Sequence, residues 1–273
     1  MEVKKVESEL ERLERYKKKG EEGDPVGQLM TSFILWNNEV GGGEEMSKEW
    51  LLKSASNGNE LAKIRKKYIG VEGEPDHTRL FVSLKQFWEM KGNMMSEEEK
   101  MILSLMLAYY YREGKGGEKD EKRAFEMYEE YHSKGEPVAS FWMANCLVAG
   151  VGCHKDVQRA NELYASASDR KFWSATFQLA THYENGVGVE KNLPKALQMY
   201  QLLVEEAGDP QAMFNLASCY SLGNGVEKNL KKAHEYCSMA AEKGFSYPFS
   251  SEIFFFLMQR RKKECKMQSS IVR

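Results

Sequence analysis

Four Gly-x-Gly-x-x-Lys segments are the first candidates for chemistry, because glycine-rich backbone followed by lysine is a common way to hold a phosphate group. A phosphate-binding loop also needs a strand before it and a serine or threonine directly after the lysine, and it normally occurs once. In this chain Asp or Asn follows each lysine, and the flanking residues have helical spacing. We therefore interpret the segments as connections between helices. Their glycine pairs are Gly114/Gly116, Gly150/Gly152, Gly186/Gly188 and Gly223/Gly225.

Catalytic side chains are scattered along the sequence rather than grouped. No H-E-x-x-H, G-x-S-x-G or kinase signature is present, and no nucleophile stands in a recognisable triad. A packed or surface histidine is commoner than a catalytic one. The sequence therefore predicts no catalytic residue, no metal site and no cofactor. The five histidines are His77, His132, His154, His182 and His234.

The five cysteines form no C-x-x-C pair, and an odd number does not suit a disulfide framework. We interpret them as buried free thiols of a protein in a reducing compartment. A zinc site built from Cys146, Cys153, His154 and His182 is the alternative, and its spacings match no familiar zinc motif.

Composition excludes several classes of protein. The 273 residues are 42% hydrophobic and 29% charged, which is near the globular average and argues against wholesale disorder. The formal charge of -2 argues against a protein built for duplex nucleic acid or an anionic membrane. The longest strictly apolar run is 253–258, far short of the roughly 20 residues that span a bilayer. With no signal peptide visible, we predict a cytoplasmic protein that neither inserts into membranes nor binds nucleic acid.

The glycine pairs belong to a repeat, because they recur at steps of 36, 36 and 37 residues. Alanines upstream and downstream of each pair keep the same steps. The upstream alanines are Ala108, Ala144, Ala180 and Ala217, and the downstream ones are Ala124, Ala160, Ala196 and Ala233.

One unit, residues 175–208, shows what each repeat folds into. An apolar face with helical spacing precedes Gly186, which suits a helix C-cap, and Asn192 suits the N-cap of a second helix. Pro194 then falls in the first turn, where its missing N–H costs little. Each unit is therefore predicted to be an antiparallel helical hairpin that buries its apolar faces by stacking on its neighbours.

The predicted fold is all-α, a right-handed α/α superhelix of about six hairpins with a capping helix at each end. We divide the chain into an N-terminal capping helix (1–23), degenerate repeats (24–92), well-matched repeats (93–244), and a C-terminal capping helix with a basic tail (245–273). The opening helix is expected at 6–19 and the closing helix at 251–263.

The repeat motif resembles that of the Sel1-like repeat family, a relative of the tetratricopeptide repeats. The match is good over residues 101–244 and loose over 24–92. The resemblance implies an adaptor or scaffold, since most members act in that way. The residues that carry it are Ala212, Leu216, Ala217, Tyr220, Gly223, Gly225, Val226, Lys228, Asn229, Ala233 and the run Ala240-Ala241-Glu242-Lys243-Gly244.

By analogy with related superhelices, we expect the first helix of each hairpin to line the concave side. The side chains opposite the buried face of these helices are mostly uncharged hydrogen-bonding groups, which can pair with a peptide backbone. The predicted concave strip, our candidate partner-binding site, is Trp142, Asn145, Gln178, Thr181, Asn185, Asn215 and Ser218.

The function predicted from these features is a non-catalytic adaptor that binds a protein or peptide segment in the concave groove. The alternatives are a regulatory subunit that activates another enzyme, and a hydrolase of the penicillin-binding kind that the resemblance suggests for a few members. The aromatic run 253–258 could mediate self-association, and the basic cluster 260–263 could instead direct the protein to the nucleus.

Overall fold

The computed structural model describes residues 7–38, 43–69 and 75–245, and these residues form helices joined by short connections. We number the helices α1 to α13. They are α1 (Glu9–Glu21), α2 (Pro25–Asn38), α3 (Gly43–Ser56), α4 (Glu60–Tyr68), α5 (His77–Lys91), α6 (Glu97–Glu113), α7 (Glu121–Ser133), α8 (Pro137–Ala149), α9 (Val157–Asp169), α10 (Trp173–Asn185), α11 (Leu193–Leu202), α12 (Pro210–Leu222) and α13 (Leu230–Glu242).

The helices from α2 onward pair as six consecutive hairpins, and each hairpin packs against the next. The described residues contain helices and no strand, so the expectation of an all-α superhelix is confirmed. The predicted closing helix at 251–263 lies outside the described residues, and the division of the chain at 23, 92 and 244 stays a prediction.

The α10–α11 hairpin shows how local sequence sets the helix ends. Gly186 ends α10 in the left-handed conformation, with φ of 75°, where glycine has no Cβ penalty. The Asn192 side chain accepts a hydrogen bond from the Lys195 N–H, which satisfies a free donor at the start of α11. Pro194 lies in the first turn of α11, as the sequence predicts.

The second glycine of each Gly-x-Gly pair has a different role, which is contact with the preceding hairpin. A Cβ built on Gly152 would lie 2.1 Å from the Glu121 carbonyl oxygen at the start of α7. A Cβ built on Gly188 would lie 2.5 Å from the Cγ1 atom of the Val157 side chain at the start of α9. The repeated glycine is therefore needed because the backbone of one hairpin touches the second helix of the hairpin before it.

Helix α2 packs against its neighbours α1 and α3 and also against α6 and α10, the first helices of later hairpins. It is predominantly apolar, and its Leu29, Met30, Phe33 and Ile34 are at most 2% exposed. Its polar residues Gln28, Thr31 and Ser32 are buried as well. A helix without a polar face is stable only when it is buried on every side. Helix α2 therefore lies inside the hollow that the later hairpins enclose.

Helix α1 runs along the ends of the later hairpins and holds them together. Arg12, itself buried, donates hydrogen bonds to Glu136 at 2.6 and 3.3 Å, just before α8. The Glu9 N–H donates to the Arg170 carbonyl before α10, and the Tyr16 hydroxyl donates to Glu98 in α6. The first helix thus contacts three repeats that lie far away in the sequence.

Candidate functional site

A cavity of about 420 Å³ remains in the hollow beside the C-terminal end of α2. The first helices of four successive hairpins, α6, α8, α10 and α12, contribute to its walls together with α2. Its volume lies in the range of sites that bind small molecules or side chains. The lining residues are Trp36, Asn37, Tyr109, Phe141, Trp142, Asn145, Ser174, Phe177, Gln178, Asp209 and Gln211.

Three residues of the predicted concave strip line this cavity, namely Trp142, Asn145 and Gln178. Trp142 is half-buried, and the Arg112 guanidinium lies 4.4 Å from its ring centroid. Gln178 is half-buried on α10, which places a side-chain amide at the cavity wall. The structure thus brings an aromatic ring and two amides of the strip together.

The other strip residues lie away from the lining and bond mainly within their own repeat. The Thr181 hydroxyl is 3.1 Å from the Phe177 carbonyl and 3.3 Å from the Tyr200 hydroxyl. Asn185 is exposed and donates to the Thr181 carbonyl, while Asn215 is half-buried. Ser218 is half-buried. A partner-binding role for these four residues stays a prediction.

Buried tyrosines in the second helices of two hairpins, α9 and α11, explain part of the strip's polar character. The Tyr164 hydroxyl donates to the Asn145 Oδ1 atom, and the Tyr200 hydroxyl donates to Glu184 at 2.8 Å. Burial raises the pKa of both phenols, so both remain protonated donors at neutral pH. The amides and hydroxyls of the strip therefore also form hydrogen bonds with buried side chains, in addition to facing the groove.

The equivalent tyrosine one repeat earlier, Tyr128, is an exception. Its hydroxyl is fully buried and has no hydrogen-bond partner in the described residues. The residue that corresponds to Asn145 is here Tyr109, whose hydroxyl accepts from Lys115 at 2.7 Å. A bulky ring has replaced the small acceptor, which leaves Tyr128 with an unpaired donor.

Asp209 gives the cavity its charge. Its Oδ1 accepts a hydrogen bond from the Ala212 N–H at 2.6 Å, so it caps α12. Burial raises the pKa of this carboxyl, and the two backbone N–H donors of Ala212 and Gln211 partly oppose that rise. The carboxylate is thus partly desolvated, and backbone N–H groups stabilise its charge.

Sequence reasoning missed Trp36, Phe141, Phe177 and Asp209 as lining residues. A signal for two of them was available, because Phe141, Phe177 and Phe214 recur at steps of 36 and 37. Trp36 reaches the site only because α2 enters the hollow, which local patterns do not encode.

One serine–histidine contact combines the residue types of a nucleophile and a general base. The Ser140 Oγ lies 2.9 Å from the His132 Nδ1, and Ser140 is also 3.1 Å from the Glu136 carbonyl. The equivalent positions one repeat later, Ser168 and Thr176, make the same contact at 2.8 Å. Neither Ser140 nor His132 lines the cavity. The recurrence indicates a structural bond between adjacent helices.

Cys146, Cys153 and Cys219 are free thiols, and Cys146 and Cys219 are buried. Cys146 is one of the residues around a smaller cavity of about 290 Å³, which also has Arg112, Glu113 and Lys119 in its walls. Burial raises the pKa of the Cys146 thiol to about 11, so it is a poor nucleophile at neutral pH.

Comparison with known proteins agrees with this geometry. The Sel1 repeat model matches residues 44–59, 105–130, 137–172, 173–206 and 210–245, which together make up more than half of the chain. The chain belongs to the Sel1 repeat family. Sel1 repeat proteins are solenoids that generally act as protein-interaction scaffolds. No functionally curated protein matches the sequence.

Two solved structures illustrate the fold of this Sel1 repeat protein. The first is c5321, a protective antigen of uropathogenic Escherichia coli with an SLR fold, at 24% identity and a TM-score of 0.55. That match covers 85% of this chain and 49% of c5321, so the chain spans about half of that protein's length. The second is a Sel1 repeat protein from Oxalobacter formigenes, at 27% identity and a TM-score of 0.53, with 60% and 70% coverage.

Within residues 7–38, 43–69 and 75–245, none of the helices combines the length and the apolar character needed to cross a membrane.

Proposed function

We propose that this Sel1 repeat protein is a non-catalytic adaptor that binds a short segment of a partner protein in the cavity beside α2. The observation that carries the proposal is the convergence of aromatic and amide side chains from five helices on one cavity of about 420 Å³. Aromatic side chains provide large contact areas, and amides can pair with a peptide backbone as donor and acceptor.

The position of α2 limits how much of a partner the hollow can hold. Helix α2 fills the centre of the hollow, so the free space begins near its end at Trp36 and Asn37. The bound segment is therefore short, with a few side chains in the cavity and the rest of the partner along its rim. A regulatory subunit that activates another enzyme would use the same surface.

The test is selection of peptides from a random displayed library on the full chain, followed by affinity measurements. We expect selected peptides to bind the double variant Trp142→Ala/Gln178→Ala at least about tenfold more weakly than the natural chain. Truncation of an anchor residue at a binding site typically reduces affinity by this factor or more. Ser174→Phe fills the cavity and should have the same effect, and it also removes the hydroxyl bond to the Asn37 carbonyl.

The matched control is Lys122→Ala/Glu126→Ala on the exposed surface of α7, where both side chains are more than half exposed. Thermal midpoints of all variants show whether the fold is intact. Unchanged peptide affinity in both cavity variants would show that the cavity is not the binding site. A cytoplasmic or nuclear location and self-association through residues 251–263 stay predictions.

A further inference from the structure

We propose that the cavity selects a basic side chain, lysine or arginine, from the partner segment. This inference rests on the proposed function, because it assigns the chemistry of the ligand at the same site. Three observations lead to it: the single charge in the cavity, the aromatic rings around it, and the amides at its wall.

The first observation is a negative charge that no lining side chain neutralises. Asp209 is the only charged residue among those that line the cavity. Backbone donors favour its ionised form. The Lys243 ammonium lies against the adjacent Gly208, 2.7 Å from a Cβ built there, but it is not among the cavity-lining residues and makes no ion pair with Asp209 within the described part of the chain. Because a desolvated carboxylate without a counter-charge is costly, a positive group placed beside it gains more than it would at an exposed acid.

The second observation is the ring of π-systems. Five aromatic residues line the cavity, and the face of an aromatic ring attracts a cation. The same attraction of a cation to aromatic rings is present at the edge of the cavity. The Arg112 guanidinium lies there at 4.4 Å from the Trp142 ring centroid and at 5.6 Å from the Tyr109 ring centroid. Arg112 is paired with Glu113 at 2.8 Å, so its charge is balanced and does not oppose a second cation.

A nearby positive group also bears on the sign of the ligand. Arg65 lies 5.8 Å from the Trp36 ring centroid, but it is fully buried and is not part of the cavity wall. If the positive charge of Arg65 determined the electrostatic potential in the cavity, the cavity would prefer an anion. The direct contact of Asp209 with the cavity favours a cation, and the experiment includes an acidic probe to decide between them.

The third observation is the match to a long side chain with a charged end. Lysine and arginine pack their aliphatic stems on apolar surface and keep the charged head at a polar group. The rings of Phe141 and Phe177 provide the apolar wall, and Asp209 provides the polar end. The amides of Gln178 and Asn145 can then bond the backbone on either side of the basic residue.

The experiment uses the full chain labelled with 5-fluorotryptophan and four blocked probes. The probes are the Nα-acetyl amides of lysine, arginine, norleucine and glutamate, of which norleucine has the lysine stem without the charge. Fluorine NMR follows Trp36 and Trp142 in the cavity, while Trp50 and Trp88 outside it serve as internal references. Resonances are assigned with single Trp→Phe variants.

We expect saturable shifts at Trp36 and Trp142 with the lysine or arginine probe, and binding at least about tenfold weaker for norleucine and glutamate. A charge-assisted contact is worth about 1.5–3 kcal/mol, which sets this factor. The lysine and arginine arms show which cation fits better. Each titration is repeated on a variant with residues 260–263 changed to serine, because these basic side chains could compete with the probes.

Asp209→Asn removes the charge but keeps a good N-cap acceptor for α12, so the fold should survive. We expect it to weaken the cationic probe about tenfold. The matched control is Asp156→Asn, since Asp156 is an exposed N-cap of α9 that accepts from the Arg159 N–H at 3.0 Å. Gln178→Lys should also abolish probe binding, because it places a cation of the chain itself beside Asp209.

Equal binding of norleucine, stronger binding of glutamate, or an unchanged affinity in Asp209→Asn would overturn this inference. The proposed function fails in a different way. Library peptides that respond to Trp142 and Gln178 but show no preference for lysine or arginine support the adaptor and refute the basic ligand. Probe binding without any cavity-dependent peptide supports the cation site and refutes the peptide adaptor.

Discussion

Three equivalent tyrosines offer a controlled test of how buried hydroxyls affect stability. Tyr128, Tyr164 and Tyr200 are each at most 1% exposed and differ in the partner of the hydroxyl group. Tyr164 and Tyr200 are hydrogen-bonded, whereas the Tyr128 hydroxyl has no partner in the described residues. Replacement by phenylalanine removes one oxygen atom and leaves the ring packing in place.

The expected changes have opposite signs. An unpaired buried polar group costs about 1–3 kcal/mol, so Tyr128→Phe should raise the free energy of unfolding by about 1 kcal/mol or more. Tyr164→Phe should lower it by about 1 kcal/mol, the net value of one hydrogen bond. Tyr200→Phe should lower it further, by about 2 kcal/mol, since its hydroxyl donates to the Glu184 carboxylate at 2.8 Å.

The assay is urea unfolding followed by circular dichroism, with thermal scans as a second measurement. For a chain of this size, 1 kcal/mol corresponds to about 2 °C in Tm. The spread between Tyr128→Phe and Tyr200→Phe should therefore reach about 6 °C. A loss of stability in Tyr128→Phe equal to that in Tyr164→Phe would refute the reasoning, because it would show that the Tyr128 hydroxyl is bonded in solution.

Three further perturbations test other buried groups. Arg65→Met should raise the free energy of unfolding by about 1–3 kcal/mol in urea titrations, because burial lowers the pKa of Arg65 to about 10 and its Nε and Nη1 atoms lack partners in the described residues. Burial also lowers the pKa of His182, so the unfolded chain binds more protons than the folded chain near pH 6. The free energy of unfolding should therefore fall between pH 7.5 and pH 5, and it should fall less in His182→Gln. Urea unfolding at both pH values measures this difference. Glu136→Gln should cost about 1–2 kcal/mol, because Glu136 is partly exposed and the buried Arg12 keeps its ion pair with Glu9 at 3.2 Å. Glu130→Gln in an exposed ion pair should cost under about 0.5 kcal/mol. Limited proteolysis would report whether the first helix is released.

The repeats could be predicted from the sequence because their signals are local. Gly186, Asn192 and Pro194 fix the ends of α10 and α11 without help from distant residues. The start of α6 at Glu97 follows from the capping box of Ser96 and Glu99 in the same way. Such signals depend on backbone conformation within a few residues, and they locate helices well.

The site was predicted only in part. Helical spacing shows which way a side chain points, but it does not show which residues of other helices lie opposite that side chain. Asn145 lines the cavity and also bonds Tyr164 from the neighbouring helix, and only coordinates show that second contact. Trp36 enters the site through the placement of α2, which depends on distant contacts such as the Ser174 hydroxyl with the Asn37 carbonyl at 3.2 Å. The predominantly apolar character of α2 was a usable hint that it is buried.

The links from α1 and α2 to later repeats also affect the order in which the molecule comes apart. In an open solenoid either end can unravel, because each unit depends only on its neighbours. Here the bonds to Glu98, Glu136 and Arg170 close the N-terminal half into a ring that must open as a whole. We expect the earliest hydrogen exchange in α12 and α13, beyond that ring. Asp209 begins the α12–α13 hairpin, which lies outside that ring, so a ligand held between Asp209 and Trp36 would connect this hairpin to the ring.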